Sequence, residues 1–357
     1  MLLREIIRHF KIYLIIGFLF MALAGFSRFV LSEIYDITDQ GRETIKVFGE
    51  LKFVFIMTFM SAFWLALLSS LLDVLVLKRL IKYKSLGIVL ITGFLTQSGM
   101  IILVVTFMLE FYLRVMSSVS VQPVASPEPL DVLLILVHLI AAVGLSKLLI
   151  EIDHKLGRGN LWKMLNGRFL RPHEEERIFM FIDMKDSTSI AEKMGHLEFS
   201  KLLQDCFQDF SVVDKYRAAI YQYVGDEVVI SWSPKNGFKN DNFLKAYFAF
   251  TGLLKSKSSY YQERYGLVPQ FKAGTNMGPI IITEVGEIKR EITYHGDTIN
   301  TAARIQDKCN EFDAQMLIPE VLYQSMKVTS GFNFQDVGCI RLKGKKQDVR
   351  LYRVSEL

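Results

Sequence analysis

The sequence predicts two architectures in one chain. An N-terminal all-α bundle of four membrane-spanning helices fills residues 1–150, and a C-terminal α+β domain fills residues 177–357, with a cytoplasmic linker over 151–176 between them. Three observations carry this. Hydrophobic residues make up 51% of the chain at a mean hydropathy of +0.27, more than an ordinary soluble protein carries. Four apolar runs, at 12–31, 51–77, 86–113 and 132–150, are each long enough to cross about 30 Å of hydrocarbon as a helix. From residue 177 onward the patterning changes to interleaved helical and strand periods.

The charges around the apolar runs set the expected orientation. Arg4, Arg8 and Lys11 precede the first run, Lys78, Arg79, Lys82 and Lys84 separate the second from the third, and Lys155, Arg158 and Lys163 follow the fourth. The positive-inside rule places all three groups, and therefore the N-terminus and the C-terminal domain, in the cytoplasm of a multi-pass cell-membrane protein. The 32–50 loop, with Glu33, Asp36, Asp39, Glu43 and Glu50, suits the outside. A signal peptide ending near Ala22-Leu23-Ala24 is the rival reading of the first run, but apolar character continues to Leu31, which favours a retained anchor. Most of the polar residues Arg28, Asp73, His138 and Lys147 fall near run ends, where long side chains reach water. His138 lies deeper, as a helix-to-helix hydrogen bond or a sensor. The runs show no series of buried charges of the kind that lines a transport pathway. In the linker, LWKMLNGRFL is amphipathic, with its apolar face expected on the bilayer or on a partner helix.

In the C-terminal domain, residues 177–182 are rich in β-formers and end at Asp183, as buried strands do where open sheets bind ligands. Ser187, Thr188 and Ser189 are placed to cap the next helix, 190–210, and to offer N–H groups to a phosphate. Strands at 219–224 and 227–232 join at Gly225-Asp226, a type II′ signal that holds Asp226 at a rigid apex. A helix over 243–265 follows, then a hairpin of 271–276 and 280–285 around Met277-Gly278-Pro279. A helix over 297–309 and shorter strands ending at 349–354 complete the domain.

Asp183 and Asp226, on neighbouring strands, are two carboxylates able to hold one or two magnesium ions against a triphosphate. Asn300 and Arg304, four residues apart, share one helix face and suit contacts to sugar and phosphate. Lys343 and Lys345 flank Gly344 in a basic turn. The three cysteines, Cys206, Cys309 and Cys339, have no CxxC or matching histidine spacing, which points to reduced thiols and no zinc site. A net charge of +5 is too small to argue for nucleic acid.

Taken in order, FIDMKDST, YQYVGDE, GTNMGP, YHGDTINTAARI and LKGK resemble the class III nucleotide cyclases, the adenylyl and guanylyl cyclase family, of the membrane-anchored bacterial type, over roughly residues 177–352. The resemblance implies a ferredoxin-like βαββαβ core. It makes Asp183 and Asp226 the metal ligands, with the backbone of Met184, for two Mg2+ or Mn2+ ions per site. It places Ser187 and Thr188 in the phosphate loop, assigns Asn300 and Arg304 to the transition state, and puts Lys343 on the terminal phosphates. It also implies a homodimer, because the aspartates and the Asn/Arg pair of one site come from opposite domains. The positions that read the purine hold Gln222 and Thr293, where Lys and Asp are usual. Threonine occurs in a subgroup of adenylyl cyclases, and the guanylyl pair is absent, so ATP is expected over GTP. The resulting expectation is a membrane-bound adenylate cyclase that makes cyclic AMP and pyrophosphate. A guanylate cyclase and a nucleotide-binding signalling module without turnover are the alternatives.

Overall fold

The computed structural model describes residues 2–36, 47–77, 85–118, 129–157, 160–326, 331–345 and 347–357. The chain divides into two compact units, Met1–Lys155 and Leu156–Leu357.

The first unit is helical: α1 (Leu2–Asp36), α2 (Val47–Leu72), α3 (Leu86–Ser118) and α4 (Pro129–Leu156), with α2 running on into a π-helical turn at Asp73–Leu77. Among the described residues, two stretches are long and apolar enough to cross a membrane, Glu5–Leu23 and Gly87–Val104, and Ala62–Leu77 is a shorter apolar helix. The four-span expectation thus meets four helices, of which two pass on length and composition. Residues 37–46 and 78–84, which carry much of the expected charge asymmetry, Arg158 of the third basic group and the Arg28 side chain lie outside the described residues. Large apolar side chains such as Leu19, Ile91, Leu95, Ile102 and Leu103 face outward, while Ser69, Asp73, Gln97, Ser146 and Lys147 are buried.

Asp73 and Lys147 correct the reading that polar residues in the runs reach water. They are 6% and 9% exposed and form an ion pair with each other. Tyr13 donates to Asp73 Oδ2 at 2.6 Å, Gln97 Nε2 donates to Oδ1 at 3.3 Å, and Ser69 donates to Gln97 at 2.5 Å. A carboxylate so satisfied is tolerable in an apolar interior, whereas either charge alone would cost several kcal/mol, on the order of 3–5. His138 meets the Phe20 ring edge-on at 6.5 Å.

The second unit is built on one sheet of eight strands: β1 (His173–Met184), β2 (Ala219–Val224), β3 (Glu227–Trp232), β4 (Phe271–Val285), β5 (Glu291–His295), β6 (Met316–Pro319), β7 (Phe332–Ile340) and β8 (Val349–Glu356). The order is β2-β3-β1-β4-β6-β8-β7, with β5 paired to β4. The stretch β4-β1-β3-β2 is antiparallel throughout, and helical crossovers precede β2 and β4, as in a ferredoxin-like βαββαβ core. β1 is covered on both faces, which is why its run is continuously apolar. Ile178, Met180 and Ile182 pack beneath α7 (His196–Asp209), α8 (Asn242–Ser256) and α9 (Ser258–Tyr265). Phe179 and Phe181 pack on the other face with Ala302 and Ile299 of α10 (Asp297–Asp307).

Several local expectations change. The helix expected over 190–210 is two helices, α6 (Ser187–Met194) and α7, broken where Gly195 takes φ 81°. The 243–265 helix likewise divides into α8 and α9 at Lys257. Part of the linker belongs to the second unit: the short helix α5 (Asn160–Leu165) precedes Phe169, whose side chain is buried beside Phe179 and whose carbonyl accepts from Glu284 N at 3.0 Å.

The hairpin expected at Met277-Gly278-Pro279 is absent. β4 is one strand, paired with β1 from Met184↔Phe271 to His173↔Ile282. Its glycines serve close approach rather than a turn. A Cβ on Gly274 would lie 2.1 Å from the Gln306 backbone nitrogen, and one on Gly278 would lie 2.8 Å from Thr298 Oγ1. Thr298 also bonds the Pro279 carbonyl at 2.7 Å, and Asn276 Nδ2 donates to the Thr298 carbonyl at 3.1 Å, so α10 covers the backbone that a turn would have exposed. Gly274→Ala should therefore cost about 3 kcal/mol of unfolding free energy in chemical denaturation. Gly278→Ala, which meets only a side-chain hydroxyl, should cost less.

Candidate active site

The C-terminal end of β1 carries Asp183 out of the buried run. Antiparallel register sets it beside Glu227 of β3 and Lys272 of β4. The β2–β3 turn then brings Asp226 to it. Gly225 has φ 59° while Asp226 is not left-handed, which is the pattern of a type II′ turn.

The electrostatics of this corner follow from that packing. Burial, then hydrogen bonding and repulsion from Asp226, push the Asp183 carboxyl up to about 6, against the pull of Lys272. Burial, then the negative charges of Asp183, Asp226 and Asp307, push Glu227 up to about 7. Lys272 Nζ lies 3.2 Å from Asp183 Oδ2, and Gln306 Nε2 donates to the same oxygen at 3.1 Å. Carboxyls crowded together at a half-buried strand end are a donor set whose charge a hard divalent cation would neutralise, so Asp183 and Asp226 fit the metal-ligand expectation. The Met184 side chain is buried in the core, leaving its backbone at the strand end.

Ser187 and Thr188 open α6, so the first-turn N–H groups lack intrahelical partners. The capping position is held by Asp186, left-handed at φ 56° and with no side-chain cap bond, rather than by the hydroxyl residues that the sequence suggested.

Helix α10 presents two faces. Thr298, Thr301, Ala302, Ile305 and Gln306 are buried against the sheet, while Asn300 is exposed and Arg304 half-buried. At about 100° per residue, Gln306 projects roughly 120° to 160° away from Asn300 and Arg304. Since Gln306 is the residue that touches Asp183, the Asn300 and Arg304 face is turned from the carboxylates of its own chain. Lys343 and Gly344 lie in the turn after β7. A Cβ at Gly344 would stand 3.3 Å from Arg304 Nη2, which puts this turn against the guanidinium. Lys345 ion-pairs with Asp297 at the start of the same helix. Lys343 is exposed.

Gln222 lies exposed in edge strand β2 and Thr293 half-buried in β5. Their neighbours Tyr221 and Tyr294 meet at 4.6 Å between ring centroids, and each also contacts Phe179. The structure thus gathers Asp183, Asp226 and the start of α6 at one corner, and Asn300, Arg304 and the 343–345 turn at another.

Sequence reasoning missed Glu227, Lys272 and Gln306. Glu227 follows Asp226 directly and was legible in the motif. Lys272 becomes visible only once β4 is registered on β1, and Gln306 only once the buried face of α10 is known.

The sequence matches the model for the adenylate and guanylate cyclase catalytic domain over residues 171–356, just over half of its length. The chain belongs to this family. Adenylate cyclase 2 of Rhizobium meliloti (strain 1021) is 32% identical over 214 residues, covering 60% of this chain and 59% of that protein. Adenylate cyclase 1 of the same organism is 26% identical over 186 residues, covering 50% of this chain and 27% of the other. The alignments therefore span less than two thirds of either relative. A bacterial light-regulated adenylyl cyclase structure superimposes with a TM-score of 0.52 at 18% identity, over 64% of each chain, a likeness of fold.

The raised carboxyls predict a pH signature. A carboxyl whose folded pKa lies above its unfolded value binds more protons in the folded state, so stability falls as pH rises between the two values. For Asp183 the window runs from the ordinary 3.8 to about 6. In chelator, the thermal midpoint should fall across that window, and Asp183→Asn should flatten the fall and raise the midpoint at neutral pH. Scanning calorimetry over a pH series reads both.

Proposed function

We propose that the chain is a membrane-anchored adenylate cyclase, acting as a homodimer on ATP to give 3′,5′-cyclic AMP and pyrophosphate. The observation that carries the reading is the corner at which Asp183 and Asp226 converge under burial, with Lys272 offsetting part of their charge. The names of the relatives, adenylate cyclases, support the choice of reaction.

In this reading Asp183 and Asp226, with the Met184 backbone, hold two divalent ions, Mg2+ or Mn2+. Such ions, when bound, neutralise the polyphosphate and lower the pKa of the ribose 3′-hydroxyl. The first turn of α6, with Ser187 and Thr188, receives phosphate oxygens through its N–H groups. Asn300 orients the ribose, Arg304 stabilises the negative charge that builds on the α-phosphoryl group, and Lys343 meets the terminal phosphates. The new bond joins the 3′-oxygen to the α-phosphorus as the bond to pyrophosphate breaks. Gln222 and Thr293 contact the purine edge, each offering both a donor and an acceptor.

The two faces of α10 support the dimer. With Gln306 on Asp183, the Asn300 and Arg304 face is available to a second chain, and two-fold symmetry then completes two equivalent sites. The outward apolar side chains and inward polar groups of the first unit support placement in a bilayer, with the catalytic unit cytoplasmic. A second reading, GTP as substrate, draws on the ambivalent hydrogen bonding of Gln222 and Thr293.

Two assays test this. Full-length protein with Mg2+ or Mn2+ should release cyclic AMP from ATP and much less cyclic GMP from GTP, and Asp183→Ala or Asp226→Ala should lower the cyclic AMP rate by at least about 100-fold, as loss of a transition-state charge contact does. No cyclic product from either nucleotide would leave the non-catalytic alternative standing. Co-expression of Asp183→Ala and Asn300→Ala chains, each inactive alone, should restore activity, because the mixed dimer retains one intact site. Absence of restoration in a verified mixed dimer would refute the shared site.

A further inference from the structure

The helical unit holds a second constellation of metal-binding side chains. Glu5 and His9, four residues apart, lie on one face of α1, and His154 lies in the last turn of α4. Their ligand atoms all fall within 4.8 Å of one another.

The two histidines are in states suited to ligation. His9 is 5% exposed, and both of its ring nitrogens are buried without a hydrogen-bond partner. Asp73 Oδ2 lies 3.7 Å from its Nδ1, outside hydrogen-bond range. Buried imidazoles nearly always satisfy at least one nitrogen, so an unsatisfied one beside a second imidazole and a buried carboxylate is an unusual arrangement. On His154, Nε2 lies 3.3 Å from Arg8 Nη2. Guanidinium can only donate, so this nitrogen presents a lone pair, which is the form in which imidazole binds a metal. Arg8 also forms an ion pair with Asp153 Oδ2 at 3.7 Å, a countercharge that it keeps when Nε2 is taken. Glu5 supplies a carboxylate that is 4% exposed.

We propose that Glu5, His9 and His154 form a binding site for a divalent transition metal of the zinc class, distinct from the aspartate corner of the second unit. Two imidazoles and one carboxylate are the donor set that zinc favours, with a fourth position left for water, whereas magnesium prefers oxygen alone. Metal-to-nitrogen bonds of about 2.0 to 2.1 Å require the ligand atoms to close only modestly from their present spacing, a side-chain adjustment. An ion here ties the first turns of α1 to the last turn of α4. His154 is followed two residues later by Leu156, where the second unit begins, so occupancy fixes the end of the helix that leads into that unit.

The test uses full-length protein in detergent, stripped with chelator and then titrated with zinc while magnesium is held in excess to occupy oxygen sites. One zinc per chain is expected, and cobalt in its place should give visible absorption of a nitrogen-ligated site. His9→Gln and His154→Gln should each weaken zinc binding by more than about 100-fold, the upper end of what losing an outer-shell partner costs. Asp183→Asn should leave zinc binding intact. Circular dichroism and gel filtration verify each variant. If His9→Gln does not fold, exposed His154 and Glu5→Gln decide the matter. Absence of zinc binding in excess magnesium, or binding unchanged in folded His154→Gln and Glu5→Gln proteins, overturns the site.

Discussion

The second unit depends on one close approach, the seating of α10 directly on the backbone of β4. Gly274 and Gly278 leave no side chain between the helix and the strand, and the contact at Gly274 is to the backbone nitrogen of Gln306 rather than to a flexible group. That fixes both the height and the rotation of the helix. Gln306 is thereby delivered to Asp183, and Asn300 and Arg304 are turned to the opposite side. A helix held one side chain further out would lose the first contact and misdirect the second face.

Both units place charge in apolar surroundings, and they do so differently. In the helical unit Asp73 and Lys147 neutralise each other and are further bonded by Tyr13 and Gln97, so the pair is satisfied within the protein. At the aspartate corner Lys272 and Gln306 reach Asp183, yet burial still pushes Asp183 up to about 6 and Glu227 up to about 7. The first arrangement is closed, since every charge has a partner of opposite sign. The second carries an excess of negative groups over the one lysine that reaches Asp183, the physical difference between a structural ion pair and the metal site proposed for that corner.

What the sequence made legible was the local chemistry. Asp183 at the end of an apolar run, Asp226 after a glycine in a two-residue turn, and Asn300 with Arg304 on one helix face all follow from spacing and turn rules, and the order of the motifs carries the family resemblance. What it hid depends on tertiary approach. Gly278-Pro279 looks like a turn because glycine and proline mark turns in isolation; only the presence of α10 over β4 converts the same residues into a continuous strand. Asp73 and Lys147 looked like residues near the ends of their runs because they are 74 positions apart, and a lone charge is read as seeking water. Glu5 and His9 show helical spacing, but His154 comes from the far end of the unit. Phe169 read as the apolar face of a surface piece, since nothing local says that it packs on Phe179.

The pairing of β1 with β4 has a consequence for how the protein is made. Asp183 and Gln306 are 123 residues apart in sequence, and Lys272 also reaches Asp183 from well downstream. A nascent chain emerging from the ribosome therefore exposes the apolar β1 strand long before either β4 or α10 exists to cover it. Through that interval its first available strand partner is β3, on one edge only. The corner around Asp183 is among the last features the emerging unit can complete, and until then an unpaired, strongly apolar strand edge is open to wrong partners, the stage at which a growing chain benefits most from a chaperone.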